Sequence, residues 1–315
     1  MPHLTTLISV AAYADSPRLR VLFSDLQKVL VLAENQVMVL VVFDRPYNDK
    51  FAYYRDFAQK ENFKVVFKKR NLGETNSVNQ SVQFAKKNKM EFFVHLDEDI
   101  EIDPKNFIGV ITELKNSRKL KIVSAKMVRQ TAGGNILLRR ISAAFVKIQS
   151  YYQEYEHFVD GRFFAARIKG FPAIPENIHN DHFLTLFFLP KQLAISKKVT
   201  AEFVASRDFG SYFRCHFKYR INEMKIRYSF PQLYARQEKL CAARCGAKIT
   251  GPPKAILKEI YKNIGFYDKL FHILDRFFAW SIKSLAHFVF LVSPKKFLSS
   301  RGWKVEFDQK QVFCS

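Results

Sequence analysis

The chain has 315 residues and a formal charge of +22, from 51 Lys and Arg against 29 Asp and Glu, and 48% of its residues are hydrophobic. A chain of that length buries a full core in one large domain or two smaller ones, which excludes any need for a disulfide scaffold. The charge implies an anionic partner, whether nucleic acid, a phosphate-rich substrate or an acidic membrane surface.

The four cysteines, Cys215, Cys241, Cys245 and Cys314, are few and irregularly spaced, and Met1-Pro2-His3 does not begin a secretory signal. A reducing, cytoplasmic compartment is the expectation. Cys241 and Cys245 have the wrong spacing for a zinc knuckle and no second pair follows, so they read as structural. The positive charge is uneven, because residues 207–315 carry 21 Lys and Arg against 8 Asp and Glu.

Along the first 130 residues, apolar β-rich runs at 7–12, 37–43, 63–67, 91–96 and 120–127 read as strands. Amphipathic patterns at 17–33, 49–60, 75–87 and 104–114 separate them as helices. Alternation of this length predicts a mostly parallel sheet covered on both faces, binding its ligand beyond the carboxyl ends of the strands. Polar residues stand at those ends: Tyr13 and Asp15, then Asp44, then Arg70 and Asn71. Gly133-Gly134 and Gly251-Pro252-Pro253 are the candidate breaks in the chain.

After the fourth strand, His95 to Pro104 packs five carboxylates into ten residues. On an extended backbone Asp97 and Asp99 face together and Glu98 faces away. Two carboxylates at a strand's carboxyl end suit a hard divalent ion such as Mg²⁺ or Mn²⁺. Asp103 before Pro104 reads as a helix N-cap, and Glu101 as a solvated charge.

The run Thr6 to Tyr13, the strand ending at Asp44, Arg70-Asn71-Leu72-Gly73 with Asn79 and Ala85 beyond, and His95-Leu96-Asp97-Glu98-Asp99 together resemble the nucleotide-sugar-binding half of family 2 glycosyltransferases. The resemblance covers about the first 110 residues and rests on order and spacing. It implies an α/β, GT-A (Rossmann-like) fold, inverting sugar transfer from a nucleotide-sugar such as a UDP-sugar, and a Mn²⁺ or Mg²⁺ cofactor. It further implies that Tyr13 and Asp44 contact the base and ribose, that Arg70 lies near the nucleotide, that Asp97 approaches the ribose or sugar, and that Asp99, with Asp97, ligates the metal. The chain departs from the family pattern at Ala14-Asp15 and Asp44-Arg45. Turn and strand-end roles remain open for Tyr13, Asp44, Arg70 and Asn71.

Inverting transfer needs a base to take the acceptor's proton. The stretches Gly161 to Arg167 and His179 to Leu184 resemble the family's acceptor-side segment, which implies Asp181 as that base, with Asn180 where the family often has an acid. The alternative is that Asp181 caps a helix beginning near His182, and His179 and His182 flank it as structural, basic or ligating residues. After a strand at 199–205 comes an aromatic-basic helix with Arg214, His216, Lys218 and Arg220. By similarity, Arg214 or Arg220 reaches the diphosphate. The Gln-x-x-Arg-Trp form of processive synthases is absent.

These assignments divide the chain into a GT-A domain at 1–225, with donor-side residues 1–130 and acceptor-side residues 131–225, and a helical basic-aromatic region at 226–315. Residues 256–297 are rich in Phe, Leu and Ile, but Lys283 and His287 leave the apolar run short of the roughly 20 residues of a spanning helix. The pattern fits an interfacial helix on an anionic membrane or a core-packing helix. The first of these suits an acceptor that is saccharide or lipid-linked, as in polysaccharide or lipopolysaccharide synthesis.

Two other classes were weighed. A nucleic-acid-binding protein would use the same charge, but no helix-turn-helix, zinc-finger, RNA-recognition or KH signature is present. A GT-A-like nucleotidyltransferase opens with a glycine-rich loop, and Ala11-Ala12-Tyr13-Ala14 has none.

Overall fold

The computed structural model describes residues 5–33, 36–130, 134–152, 158–204, 206, 208–245 and 254–299. Cys314, Gly133 and Gly251-Pro252-Pro253 lie outside the described residues.

Strands β1 (Thr6–Ala12), β2 (Val37–Phe43), β3 (Phe63–Phe67) and β4 (Phe92–Asp97) form a parallel sheet, in register from Ala12 opposite Phe43 to Ala11 opposite Asp97. Their nearly unbroken apolar sequences follow from burial on both faces. Ile8, Val10 and Ala12 join one core with helices α1 (Pro17–Leu32), α2 (Ala52–Phe57) and α4 (Pro104–Asn116), while Leu7 joins a second core under α3 (Glu74–Lys87). The same alternation along β4 sends Phe92, Val94 and Leu96 to the first core and Phe93 to the second. His95 and Asp97 therefore belong to the α3 face.

The full order is β3-β2-β1-β4-β6-β5-β7, with β5 (Ile122–Gln130), β6 (Phe163–Arg167) and β7 (Leu193–Val204) extending the sheet. β6 runs antiparallel to both β4 and β5, whereas β5 and β7 are parallel. This inserted strand brings Gly161 and Arg162 beside the end of β4, where Asp97 N–H donates to the Arg162 carbonyl at 2.9 Å.

The helix starts follow local chemistry. Ser16 Oγ accepts from Leu19 N–H ahead of Pro17, and Asp103 accepts from Lys105 N–H ahead of Pro104. The segment expected as one helix at 49–60 is a short 3₁₀ turn, Asp49–Phe51, running into α2.

Beyond the sheet lie α5 (Ile136–Tyr152), α6 (Asn180–Phe187), α7 (Phe209–Ser229), α8 (Pro231–Cys245), α9 (Lys254–Asn263), α10 (Phe266–Val292) and α11 (Pro294–Ser299). The boundary read at residue 225 falls inside α7, which continues unbroken to Ser229. α10 packs on α5 and α7 through two small clusters, Leu138 with Tyr212 and Ile282, and Ile221 with Ala286 and Phe290. The Tyr212 hydroxyl donates to buried Asp275 at 2.8 Å, and Lys147 pairs with Asp268 at 2.5 Å.

Candidate active site

The carboxyl ends of β1, β2 and β4 lie side by side at one edge of the sheet. Asp44, just past β2, is buried, and its carboxylate accepts from Leu72 N–H at 2.8 Å, Gly73 N–H at 2.6 Å and Lys68 Nζ at 3.0 Å. It ties β2 to the turn before α3. Gly73 sits at φ +90°, a conformation that L side chains rarely adopt, so the turn needs glycine there. Lys68 is also buried, and burial lowers its pKa despite the pair with Asp44. Arg70 and Asn71 are exposed in this turn, where Asn71 Oδ1 also accepts from Gly73 N–H. Tyr13 is exposed beneath the Arg45 guanidinium, 5.4 Å from its ring centre.

The acidic run departs from the expected extended form. β4 ends at Asp97, and Glu98-Asp99 make a turn, so the two-residue alternation stops between the two aspartates. Glu98 is not a bystander: its Oε2 accepts from the N–H groups of Tyr13 and Ala14 at 2.7 and 3.2 Å, fastening β4 to β1. Arg18 Nη1 donates to the Asp99 carbonyl at 2.9 Å and fixes the far side of the turn. Burial, opposed by the two N–H donors, lifts Glu98 to about 7. Burial also raises Asp99, against the pull of Arg162 and Arg18.

Asp97 instead meets two residues that carried no assigned role in the sequence, His95 and Glu74. His95 Nε2 lies 3.5 Å from Glu74 Oε1 and 3.5 Å from Asp97 Oδ1. The ring is fully buried and neither nitrogen has a hydrogen-bond partner. One ligand atom from each of the three residues lies within 4.8 Å of the others. An unsatisfied buried imidazole facing two carboxylates, with Asp99 next along the chain, is a donor set that fits a divalent ion, and its carboxylate majority favours Mg²⁺ or Mn²⁺. Without an ion, burial works against the imidazolium, but Asp97 and Glu74 more than offset it and lift His95 to about 9. Burial and the neighbouring Glu74 lift Asp97 to about 7.

Glu74 also bridges the two halves of the chain. Asn180 Nδ2 donates to Glu74 Oε1 at 2.7 Å, and Asn180 Oδ1 accepts from Asp181 N–H at 2.6 Å. Three further bonds dock α3 on the segment leading to α6: Thr75 Oγ1 to the Ile178 carbonyl, and Asn79 to both Ile174 N–H and its carbonyl. A relay of contacts thus runs from Asp97 through His95, Glu74 and Asn180 to Asp181. Glu74 is the first residue of α3, one position before the helix expected at 75–87, and no motif in the sequence marks it.

Asp181 lies in the first turn of α6, one residue inside its start; the N-cap residue His179 makes no side-chain cap bond, so Asp181 keeps part of the capping role as well as its place as candidate base. Its Oδ1 accepts from His182 N–H at 2.7 Å and lies 3.6 Å from His179 Nδ1. Burial opposes the carboxylate, but the charges of His182 and His179 outweigh it and hold its pKa below the usual range. Gly161 eases this approach, since a Cβ there would lie a tight 3.0 Å from both Asp181 Cβ and Asn180 Oδ1. Arg162 pairs with Asp160 at 2.7 Å, and its charge also reaches Asp97 and Asp99.

α7 crosses this site. Tyr219 meets the His182 ring edge-on, with centroids 4.6 Å apart, and Arg220 pairs with Glu223 at 2.7 Å. Arg214 is exposed near the start of α7 and donates to Ser211 Oγ at 3.1 Å. The α7 cation whose charge is felt by Glu74 and His179 is Lys218, which was read only as part of a basic helix.

No protein-family model and no curated protein sequence matches the chain. Among solved structures it is similar to the mannosyltransferase PcManGT from Pyrobaculum calidifontis in complex with GDP-Man and Mn²⁺, with a TM-score of 0.54 at 13% identity over 94% of this chain and 83% of that one. It also matches S. aureus TarS 1-349 in complex with UDP, with a TM-score of 0.47 at 15% identity over 76% of this chain and 70% of that one. The first likeness establishes the architecture: the chain is a mixed α/β protein whose seven-stranded, mostly parallel sheet is that of a GT-A-like glycosyltransferase.

Proposed function

We propose that the chain is an inverting glycosyltransferase that moves a hexosyl or N-acetylhexosaminyl group from a nucleotide-sugar, with a UDP-sugar as the first candidate, to a saccharide or lipid-linked acceptor. The observation that carries this reading is the relay from Asp97 through His95, Glu74 and Asn180 to Asp181, which links the strand-end carboxylates to a candidate base. A GT-A-like fold favours it, and the bound GDP-Man of the mannosyltransferase makes a nucleotide-sugar the natural donor class.

Asp97 and Asp99, with Glu74 and His95 beside them, would hold Mn²⁺ or Mg²⁺. When bound, such an ion neutralises charge on the departing nucleoside diphosphate. Arg162 and Lys218 add fixed positive charge to the same site. In this reading Tyr13 and Arg70 offer exposed groups to the nucleotide, Asp44 shapes the turn beneath it, and Arg220 serves the diphosphate from α7; Arg214 lies farther back along that helix.

Asp181 takes the proton of the acceptor hydroxyl as its oxygen bonds the anomeric carbon. The bond from that carbon to the diphosphate oxygen breaks with its electron pair leaving on the nucleotide. His179 and His182 keep the Asp181 carboxylate ionised before transfer.

The same reading sets the enzyme in the cytoplasm, peripheral to a membrane. Among the described residues, no helix is long and apolar enough to cross a bilayer.

Thermal shift with UDP, GDP and CDP, each with and without Mn²⁺, tests the donor site on wild type and Asp99→Ala. A nucleotide at a hundredfold over its dissociation constant adds about 2.7 kcal/mol of stability. A metal-dependent shift with one nucleotide, lost in Asp99→Ala, is expected. No shift with any of them would overturn the reading.

A further inference from the structure

Among the described residues, the long helix α10 leaves a largely apolar face uncovered, interrupted by the small polar Ser284. Phe266, Ile273, Phe277, Trp280, Phe288 and Leu291 are each more than half exposed, at spacings of three, four, seven and eight residues that keep them on one side of the helix. A stripe of this size on a soluble chain marks a binding surface. Its exposed charges on α10 are basic: Arg276 and Lys283 stand beside the stripe, and the charge of Lys283 also reaches Glu223 of α7. The two acids of α10 are occupied inward, Asp268 by Lys147 and Asp275 by Tyr212. An apolar stripe with exposed cations beside it complements an anionic lipid surface.

Beside this face, α7 and α10 leave an open groove of about 480 Å³, within the span of ordinary ligand pockets. Phe209, Tyr212, Phe213, Phe278, Ile282 and Leu285 line it, and the Tyr212 hydroxyl is turned away into its bond with Asp275. The groove is therefore hydrocarbon-lined. α7 connects it to the candidate base: Tyr219 touches His182, next to Asp181, and Phe213 lies six residues back, about 9 Å along the helix at 1.5 Å per residue.

We propose that the groove between α7 and α10 takes the hydrocarbon chain of a lipid-linked acceptor, presented by an anionic bilayer on which the outer face of α10 rests. This deepens the transferase reading and rests on it. The chain of the acceptor lies along the first turns of α7, and its polar head reaches past the middle of that helix toward Asp181 on α6. The basic residues flanking the stripe hold the headgroup plane, so the acceptor enters from the leaflet without leaving it.

Trp280 is a built-in reporter. The chain has two tryptophans, so Trp303→Phe leaves Trp280 alone on the stripe. In that background, geranylgeranyl phosphate below its micelle concentration is titrated against isopropyl phosphate, and vesicles of phosphatidylglycerol with brominated phosphatidylcholine are added separately.

The expected result is a saturable blue shift with the long chain only, together with quenching by the brominated vesicles. Ser281→Phe, which fills the groove, and Leu285→Glu, at a half-exposed position on its rim, should each weaken the long-chain response at least tenfold. Both should keep the wild-type nucleotide thermal shift, which shows that they fold. Equal responses to the short and long phosphates would overturn the proposal, as would undiminished long-chain binding in both variants. A concentration-dependent dimer that buries Trp280 would assign the stripe to a second copy of the chain and also overturn it. Loss of the nucleotide response in wild type, with lipid binding intact, would defeat the transferase reading and leave the lipid groove standing.

Discussion

Replacing Asp44 by alanine separates a structural role from a ligand contact. The carboxylate is only 9% exposed and the Lys68 ammonium 4%, so the substitution strands a buried charge whose remaining partner is Ser77 Oγ at 2.8 Å. It also removes the acceptor of Leu72 N–H and the shorter of the two bonds made by Gly73 N–H. Breaking one partner out of a buried pair costs about 3–5 kcal/mol, a large share of the roughly 5–15 kcal/mol that holds a domain together.

Urea unfolding followed by far-UV circular dichroism reads this directly. At a slope of about 3 kcal/mol per molar, the midpoint should fall by about 1 M or more. Adding Lys68→Met removes the stranded ammonium, and the double variant should recover about half of the loss. A single variant within about 0.3 M of wild type would refute the reasoning, as would a double variant no better than the single. A variant of full stability that no longer bound nucleotide would return Asp44 to direct contact with the ligand.

Four further outcomes follow from the site. Asp97 is lifted to about 7 and His95 to about 9, and a cation must displace their protons, so the Mn²⁺ enhancement of nucleotide binding should strengthen from pH 6 to pH 8. Calorimetric titration across that range would contradict this if the enhancement were flat or reversed. Gly161→Ala pushes against Asp181 and Asn180, so it should cost about 1–3 kcal/mol of stability and lower turnover about tenfold or more, with nucleotide binding kept. Glu74→Gln removes one carboxylate facing His95, and by nuclear magnetic resonance the His95 ring should then titrate below the value of about 9 that it holds in wild type. An unchanged ring would separate Glu74 from the cluster. Lys218→Met should weaken nucleotide binding up to about fivefold, an effect that salt diminishes, and Arg214→Met should change it less.

The first half of the sheet was largely legible because its signals are local. Alternating apolar residues, strand lengths and the Ser16-Pro17 and Asp103-Pro104 starts place β1 to β4, α1 and α4 within a residue or two of where they lie. The register of parallel neighbours then brings their carboxyl ends together, which is why Tyr13, Asp44 and Asp97 could be picked as a group. β6 was not read as a strand because five residues, Phe163–Arg167, carry too little pattern. Its antiparallel place between β4 and β5 depends on pairing with strands far along the chain.

The site divides in the same way. From its own sequence the chain determines an α/β sheet, a carboxylate cluster at a strand end and a basic, aromatic tail, because propensity and periodicity act between near neighbours. Only the tertiary structure decides that Glu98 fastens two strands, that Glu74 and His95 join Asp97, and that Lys218 is the α7 cation reaching this cluster. The physical reason is sequence separation: Glu74 and Asn180 stand 106 residues apart, and nothing local to either one encodes a 2.7 Å bond between them.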